Sequence, residues 1–475
     1  MEKEHMLRDA SGLLQAVCYQ QDPGAGVAAV IREQSLGGKG GFHIHRGGRL
    51  VKDQQLIVAH QQARESHFGC FTAGDRPPVY GGPSGHGTGE PVLIKGNMDD
   101  RIQKLYVEAS SRCNLRCKMC FRHSWVGERF GDLDPAAFAR LMDDPVLRNT
   151  RTVFFGGMGE PLVHPSLTEM AALASAHGKN VELVTNGTLL TRERAGDLLK
   201  AGISRIWVSI DELYENYGKI QVGSDFGLVL GNLEAFNELR SGSDVRLGMT
   251  AVVMRDNIAS LRRIREFAER FGADDLNLSH IIPNRAEDIE QALWPMCDVA
   301  AIKAVTDKIG YTWRFEGFNM GTEIPMFKFS RRYKDLLFPD EESLQEAELF
   351  SWKGKPATRR TNWCRFIEEG HCFIRWDGDV SPCMGLLHTA DTYLGDHKRR
   401  IRHHSFGTVY GQSLGEIWEG EEYRSFRQRV HEFKYAPCLF CGGCELLEEN
   451  ETDCIGSAAP TCGGCLWGQG FAVCP

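Results

Sequence analysis

Between residues 103 and 285 short apolar runs alternate with longer segments whose apolar positions recur every three or four residues. The short runs read as buried strands, the longer segments as amphipathic helices. Six runs qualify: Leu105–Glu108, Thr152–Phe155, Val181–Thr185, Arg205–Ile210, Leu247–Val253 and Leu276–Ser279. Helix punctuation lies between them. Asp134-Pro135 supplies an N-cap and then proline at the first helical position. Thr191 caps a helix that Gly202 ends, and the helical pattern from Ile258 to Phe271 stops at Gly272. Six βα repeats in series demand a parallel sheet, because each crossover needs a helix. An open α/β sheet and a partial barrel both satisfy the pattern. In either, ligands bind at the carboxyl ends of the strands.

The flanks read differently. Residues 1–100 are glycine-rich and weakly periodic, and are expected to form a small β-rich extension of unknown function. Phe42-His43-Ile44-His45 and Leu50–His60 predict a hairpin around Gly47-Gly48. His43 and His45 share a strand face, where histidines are mostly structural. The stretch from Arg76 to Gly89 reads as a linker. Residues 286–360 are expected to form a connecting α/β region that completes the barrel side, with a strand near Tyr311–Phe315. From Cys364 onward cysteine and glycine dominate, except in Ser413–Val430. There Leu414, Ile417, Trp418, Tyr423 and Phe426 predict one amphipathic helix docked on a core.

Composition narrows the class. The chain has 475 residues, 42% hydrophobic and 25% charged, as in soluble globular proteins. With 55 basic and 63 acidic residues, the net charge of -8 argues against nucleic acid as a partner. No apolar run approaches membrane-spanning length, and the N-terminus lacks a basic segment followed by an apolar one. A cytoplasmic protein away from membranes is expected. In a reducing compartment its 16 cysteines point to metal rather than disulfides. Cys18, Cys70 and Cys297 stand apart and read as ordinary thiols.

Cys113, Cys117 and Cys120 follow the first strand. Three thiolates on one loop can hold three irons of a cubane and leave the fourth iron open. An open metal position suits catalysis. A zinc site completed by His123 is the bland alternative. After the second strand comes Gly156-Gly157-Met158-Gly159-Glu160-Pro161, whose glycines let backbone approach a ligand closely. Thr185-Asn186-Gly187 and Ser209-Ile210-Asp211 follow the third and fourth strands. Each alone is an ordinary turn or cap.

Taken together, these strand-end segments and Cys113–Phe121 (CNLRCKMCF) resemble the signature of the radical S-adenosylmethionine enzymes. The resemblance implies a partial (β/α)6 barrel over residues 101–285. It implies a catalytic [4Fe–4S] cluster on Cys113, Cys117 and Cys120, whose open iron binds S-adenosylmethionine. One electron then cleaves that cofactor to methionine and a 5′-deoxyadenosyl radical. Phe121, Gly156, Gly157, Gly159, Glu160, Asn186, Ser209 and Asp211 would shape the cofactor site. The glycine segment and Glu160 would face the methionine amino group, and the later positions would lie near the nucleoside.

The carboxy-terminal part, residues 361–475, resembles the SPASM extension of such enzymes. Cys364-x13-Gly378-x4-Cys383 fits its first half, with Asp377-Gly378 turning a hairpin. The extension implies one or two auxiliary [4Fe–4S] clusters. By resemblance Cys364, Cys372 and Cys383 begin one, and Cys438 and Cys441 the other. Cys444, Cys454, Cys462, Cys465 and Cys474 are the remaining candidates, in a spacing that departs from the usual pattern. Cys441/Cys444 and Cys462/Cys465 also suit a zinc ribbon.

Met384 stands where sulfatase maturases have an acidic residue, which disfavours formylglycine formation. The tail resembles that of the maturases associated with tungsten-cofactor aldehyde oxidoreductases. That implies such an oxidoreductase or its pterin cofactor as partner, with a flavodoxin- or ferredoxin-type reductant. A peptide maturase, with residues 1–100 recognising the precursor, is the second reading. A non-catalytic iron–sulfur carrier is a third, and leaves the strand-end segments unexplained. The basic run Lys398, Arg399, Arg400, Arg402, His403 and His404 reads as a solvated loop or as an anion-recognition loop for pterin phosphates.

Overall fold

The structure is a computed structural model. It describes residues 100–292, 362–395, 397–436, 438 and 444–475, and elsewhere the backbone of short strands. The expectations for Cys297, for Tyr311–Phe315, for Arg76–Gly89 and for Cys441 lie outside the described residues. The chain divides into two compact units, Met1–Leu93 and Ile94–Pro475.

The first unit holds an antiparallel sheet with strands in the order Arg49–Leu50, Lys39–Arg46, Ala28–Leu36, Gln15–Tyr19 and Gly69–Phe71. The hairpin around Gly47-Gly48 is present, with His45 opposite Leu50 and Arg46 opposite Arg49. Its second arm is described only as far as Leu50.

In the second unit all six expected strands form, shifted by at most two residues: β1 (Lys104–Val107), β2 (Thr152–Phe155), β3 (Asn180–Thr185), β4 (Ile203–Ser209), β5 (Arg246–Val253) and β6 (Asp275–His280). They are parallel and adjacent in chain order. Between them run α1 (Pro135–Met142), α2 (Leu167–Ala176), α3 (Arg192–Lys200), α4 (Phe226–Arg240) and α5 (Leu261–Arg270). Asp134 caps α1 through the Ala136 and Ala137 amides, and Thr191 caps α3 through Arg194. Leu105, Val153, Phe155, Leu183, Ile206 and Val208 are fully buried in the sheet. Each such side chain contributes roughly 1.5–3 kcal/mol on burial, so the sheet is a rigid floor for its end loops.

The carboxy-terminal region is built into this sheet. After α6 (Arg365–Glu368), β7 (His371–Ile374) lies parallel to β1, with His371 opposite Lys104 and Ile374 opposite Val107. The chain turns at Asp377-Gly378 into β8 (Val380–Ser381), antiparallel to β7. A separate hairpin follows, β9 (Ala390–Leu394) with β10 (His397–Ile401). The final residues join the two ends of the six-strand series. Near β6 the His280 amide donates to Phe471 O (3.1 Å) and the Val473 amide to Ser279 Oγ (2.9 Å). Near β1 the Tyr106 hydroxyl donates to Pro475 O at 2.5 Å.

The single helix expected over Ser413–Val430 is two: α7 (Leu414–Glu419) and α8 (Glu421–Glu432). Gly420 between them is extended (φ -56°, ψ 143°). The step from Trp418 to Tyr423 is five residues, too long for one helical face, and the break turns both rings inward. They meet edge to face at 5.0 Å. Among the described residues no helix is long and apolar enough to cross a membrane.

Candidate active site and cysteine cavity

The loop after β1 is held from several sides. Ser111 N donates to Gly131 O (3.0 Å), Arg116 N to Val222 O (2.9 Å) and Lys118 N to Ile220 O (2.7 Å). The Arg285 guanidinium donates to Lys118 O (2.6 Å) and Asn284 Nδ2 to Met119 O (3.1 Å). Cys113, Cys117 and Cys120 are half-buried on this loop and within electrostatic reach of one another. Burial pushes the Cys113 and Cys117 thiols above their ordinary range, so a metal must displace their protons on binding. The Leu115 amide already points at Cys113 Sγ (3.4 Å), as suits a metal-bound thiolate. His123 turns Nε2 to the Cys117 carbonyl at 2.9 Å.

The glycine strip after β2 packs directly on this loop. A Cβ at Gly159 would lie 2.0 Å from Ser110 O and 2.7 Å from Arg112 O, and one at Gly157 would strike the Glu108 side chain. Only glycine permits that approach. Glu160, 2% exposed, spends its carboxylate on the protein. Oε1 accepts from Thr185 Oγ1 (2.7 Å) and Leu162 N (3.1 Å), and Oε2 from Asn186 N (2.8 Å). Burial nonetheless pushes its pKa up.

Asn186 donates to Asn114 Oδ1 (3.0 Å) and lies 3.8 Å from Cys113 Sγ. Asn114 in turn donates to Thr188 Oγ1 at 2.8 Å. Asn114 and Thr188 were not singled out in the sequence; their only signal is their place beside Cys113 and Asn186. Ser209 is half-buried at the end of β4, its carbonyl accepting from Gln221 Nε2 (3.1 Å). Asp211 is buried; Oδ1 accepts from Val252 N (2.7 Å), and burial pushes its pKa up to about 7. Phe121 meets Trp467 edge to face at 6.4 Å, which joins the loop to the carboxy-terminal segment.

That segment lines a second site. Cys364, Cys383, Cys462 and Cys465 line one cavity, with Phe433 and Trp467 among its apolar walls. Cys364 precedes α6, Cys383 follows β8, and the last two lie on one turn. Burial pushes Cys364 up to about 12 and raises the other three. Four thiols in an apolar cavity are a fitting donor set for a cubane. A cubane spreads its thiolates wider than one tetrahedral ion does. Among the described residues, no three Cys, His, Asp or Glu converge tightly enough for a single ion.

The structure does not bring Cys372 to Cys364 and Cys383. It is fully buried on β7, beside Tyr423 and Arg427 and outside the cavity wall. Cys474 is separate too, near Trp467 and Lys104. Cys438 is half-buried and Cys444 and Cys454 are exposed, all outside the cavity.

The basic run is largely a strand, β10, and its charges are paired within the protein. Arg399 is 5% exposed and donates to Leu447 O (2.8 Å) and Gly464 O (2.7 Å), bracing the turn between Cys462 and Cys465. Arg400 and Lys398 pair with Asp391, Arg402 with Glu449, and His403 with Asp379. His404 packs edge to face on Phe406. The run is therefore a strand and the residues just after it rather than a single loop, with Lys398, Arg400 and Arg402 on its solvent-exposed side.

Residues 107–268 match the radical SAM superfamily model, and residues 364–445 the SPASM iron–sulfur cluster-binding domain. The chain is 28% identical over 383 residues to the tungsten-containing aldehyde ferredoxin oxidoreductase cofactor-modifying protein of Pyrococcus furiosus, covering 79% of this chain and 97% of that protein. It is 26% identical over 176 residues to the PqqA peptide cyclase of Gluconobacter oxydans, covering 37% and 48%. Among solved structures, Streptococcus suis SuiB bound to S-adenosylmethionine is similar with a TM-score of 0.46 and 16% identity, covering 75% of this chain and 73% of that one. With both domains in place and their cysteines gathered as described, the chain is a radical S-adenosylmethionine enzyme that carries a SPASM iron–sulfur domain.

Proposed function

We propose that this enzyme matures a tungsten-containing aldehyde oxidoreductase, acting on the protein or on its tungstopterin cofactor. One observation carries the reading: the similarity to the Pyrococcus furiosus cofactor-modifying protein runs over 97% of that protein's length. When bound, a reduced cluster would supply the electron for cleavage of S-adenosylmethionine. The chain's part is to hold, orient and shield. Cys113, Cys117 and Cys120 hold the catalytic cluster. Gly156, Gly157 and Gly159 offer close backbone to the methionine end. Glu160 acts as a positioning residue, since its oxygens are bonded to β2- and β3-end groups. Asn186, Ser209 and Asp211 line the nucleoside end, and Phe121 packs the loop against the auxiliary region.

We assign Cys364, Cys383, Cys462 and Cys465 to one auxiliary cluster, and Cys438, Cys441, Cys444 and Cys454 to a second. Cys372 and Cys474 are then packing residues. The barrel domain spans residues 101–285, a connecting region 286–360 and the auxiliary domain 361–475, with residues 1–100 as an extension. Thiol-held clusters suit the reducing cytoplasm, with a flavodoxin or ferredoxin as reductant.

The test is anaerobic. Reconstituted enzyme, a reductant and S-adenosylmethionine are incubated with the aldehyde oxidoreductase made in cells lacking this enzyme. 5′-Deoxyadenosine should form, and the oxidoreductase should gain activity. Cleavage without any effect on the oxidoreductase would reject the partner. The partial similarity to a peptide cyclase supports a second reading, a peptide maturase. Co-purification with a small peptide would favour it. No cleavage under any reductant would leave an iron–sulfur carrier.

A further inference from the structure

An unassigned buried cluster lies at the end of β1. Glu108 directly follows that strand and is 2% exposed; His388, between β8 and β9, is 1% exposed. His388 Nε2 lies 2.9 Å from both Glu108 oxygens, and Nδ1 lies 2.9 Å from Glu128 Oε2. Glu128 Oε1 accepts from Thr389 N (2.7 Å), and Arg375 reaches Oε2 at 3.3 Å. Trp125 stacks on the imidazole, with centroids 4.0 Å apart. Both ring nitrogens face carboxylates. A neutral imidazole has one N–H to give, so only the imidazolium satisfies both.

The cluster continues into the glycine strip. Glu108 Oε1 accepts from the Met158 amide at 3.0 Å, and Gly157 packs on the Glu108 side chain. An unbroken series of contacts therefore runs from the strip through Glu108, His388 and Glu128 to Arg375.

We propose that His388 is a positioning residue for the S-adenosylmethionine strip: from the SPASM side it clamps Glu108 and Glu128, and through Glu108 it fixes the Met158 amide and Gly157. This rests on the reading of the strip as the cofactor's methionine-end support. It makes cofactor binding depend on correct seating of the auxiliary domain.

The clamp has a pH signature. The charges facing His388 are Glu108 from the end of β1 and Glu128 from the loop beyond the cysteines. Arg375 and Asp377 of the β7–β8 turn stand behind Glu128. Burial opposes charge on His388, but the two glutamates outweigh it and hold its pKa above the ordinary histidine value. Burial likewise opposes ionisation of Glu128, but His388, the Thr389 amide and Arg375 hold it below the ordinary carboxylate range. A raised histidine stabilises fully below its unfolded pKa and loses that contribution as pH rises through the folded value. A depressed carboxylate loses its contribution as pH falls through its own. The clamp therefore loosens on the alkaline side first when starting from neutrality.

The experiment uses the full reconstituted chain. Amide hydrogen exchange at Met158 is measured without S-adenosylmethionine, and the cofactor's Kd is then measured across pH. His388→Gln should speed Met158 exchange, weaken binding about tenfold and flatten the pH profile. Glu128→Gln, which touches neither strip nor cofactor, should move the alkaline midpoint to lower pH. Unchanged Met158 exchange in His388→Gln, or an unmoved midpoint in Glu128→Gln, overturns the clamp. If wild type binds no S-adenosylmethionine, the reading of the site fails and the proposal with it. If wild type binds and His388→Gln binds equally well, this proposal alone fails.

Discussion

The two cysteine-bearing regions are assembled in opposite ways. The catalytic loop carries its three thiols within eight residues, Cys113 to Cys120, and short hydrogen bonds from neighbouring loops pin it. The cavity gathers Cys364, Cys383, Cys462 and Cys465 from three separated segments. A local set keeps its geometry as long as its loop is held. A dispersed set has its geometry only when the whole region is packed. The first is vulnerable at its ligands, the second also at residues that bind nothing.

The largest effect separates the regions outright. Cys113→Ala/Cys117→Ala/Cys120→Ala should reduce 5′-deoxyadenosine formation to background and lower bound iron by about four per chain. Cys383→Ala/Cys465→Ala should remove a similar amount of iron yet leave S-adenosylmethionine cleavage measurable. Iron counting beside the cleavage assay checks both. Loss of cleavage in the cavity variant would show that the two regions are one functional unit.

A second contrast lies within the dispersed set. Arg399 ligates nothing, but it is buried and bonded to the Leu447 and Gly464 carbonyls. Arg399→Ala leaves both without their donor, at a cost of roughly 2–4 kcal/mol. Auxiliary iron should fall while the iron on the catalytic loop stays. Thermal unfolding and iron content of the purified variant test this. A variant with full iron and unchanged Tm would remove Arg399 from the argument.

This difference also explains what could be read from the sequence. The strands β1 to β6 were legible because each is a short apolar run closed by its own turn or cap, as with Asp134 and Thr191. The catalytic cysteines were legible for the same local reason. Residues whose meaning comes from distant partners were not. Glu108 looks like the polar end of a strand until His388 is placed against it, 280 positions away along the chain. Cys372 has good spacing from Cys364, but the pairing of β7 with β1 turns it away from the cavity. Lys398 to His404 read as a solvated or anion-recognition loop because Asp391, Glu449 and Asp379, with which it pairs, come from other segments. The break at Gly420 was missed: the apolar positions were read as one helix, although the five-residue step between Trp418 and Tyr423 departs from helical period.

A smaller effect tests the sorting of cysteines directly. Cys372→Ala removes a thiol packed against Tyr423 and Arg427, outside the cavity. It should cost about 1–2 kcal/mol as a small core truncation and leave iron content unchanged. Cys465→Ala should do the reverse in emphasis, with iron lost from the auxiliary site. Equal iron loss in the two variants would return Cys372 to the ligand set.

The smallest expected effect is the sharpest control on the basic run. Arg402 pairs with Glu449 and Glu451 at the surface, where solvent screens ion pairs and their net contribution is slight. Arg399 lies three residues earlier, yet it is buried and reaches into the cysteine turn. Arg402→Ala should therefore leave Tm, auxiliary iron and affinity for inorganic phosphate unchanged, where Arg399→Ala lowers the first two. Weaker phosphate binding in Arg402→Ala would mean that the run does meet an anion. The ion pairs seen here would then be a resting arrangement that the anion displaces. Without that loss, charge density in this stretch is a matter of folding, and recognition of a pterin phosphate has to be sought on another surface of the molecule.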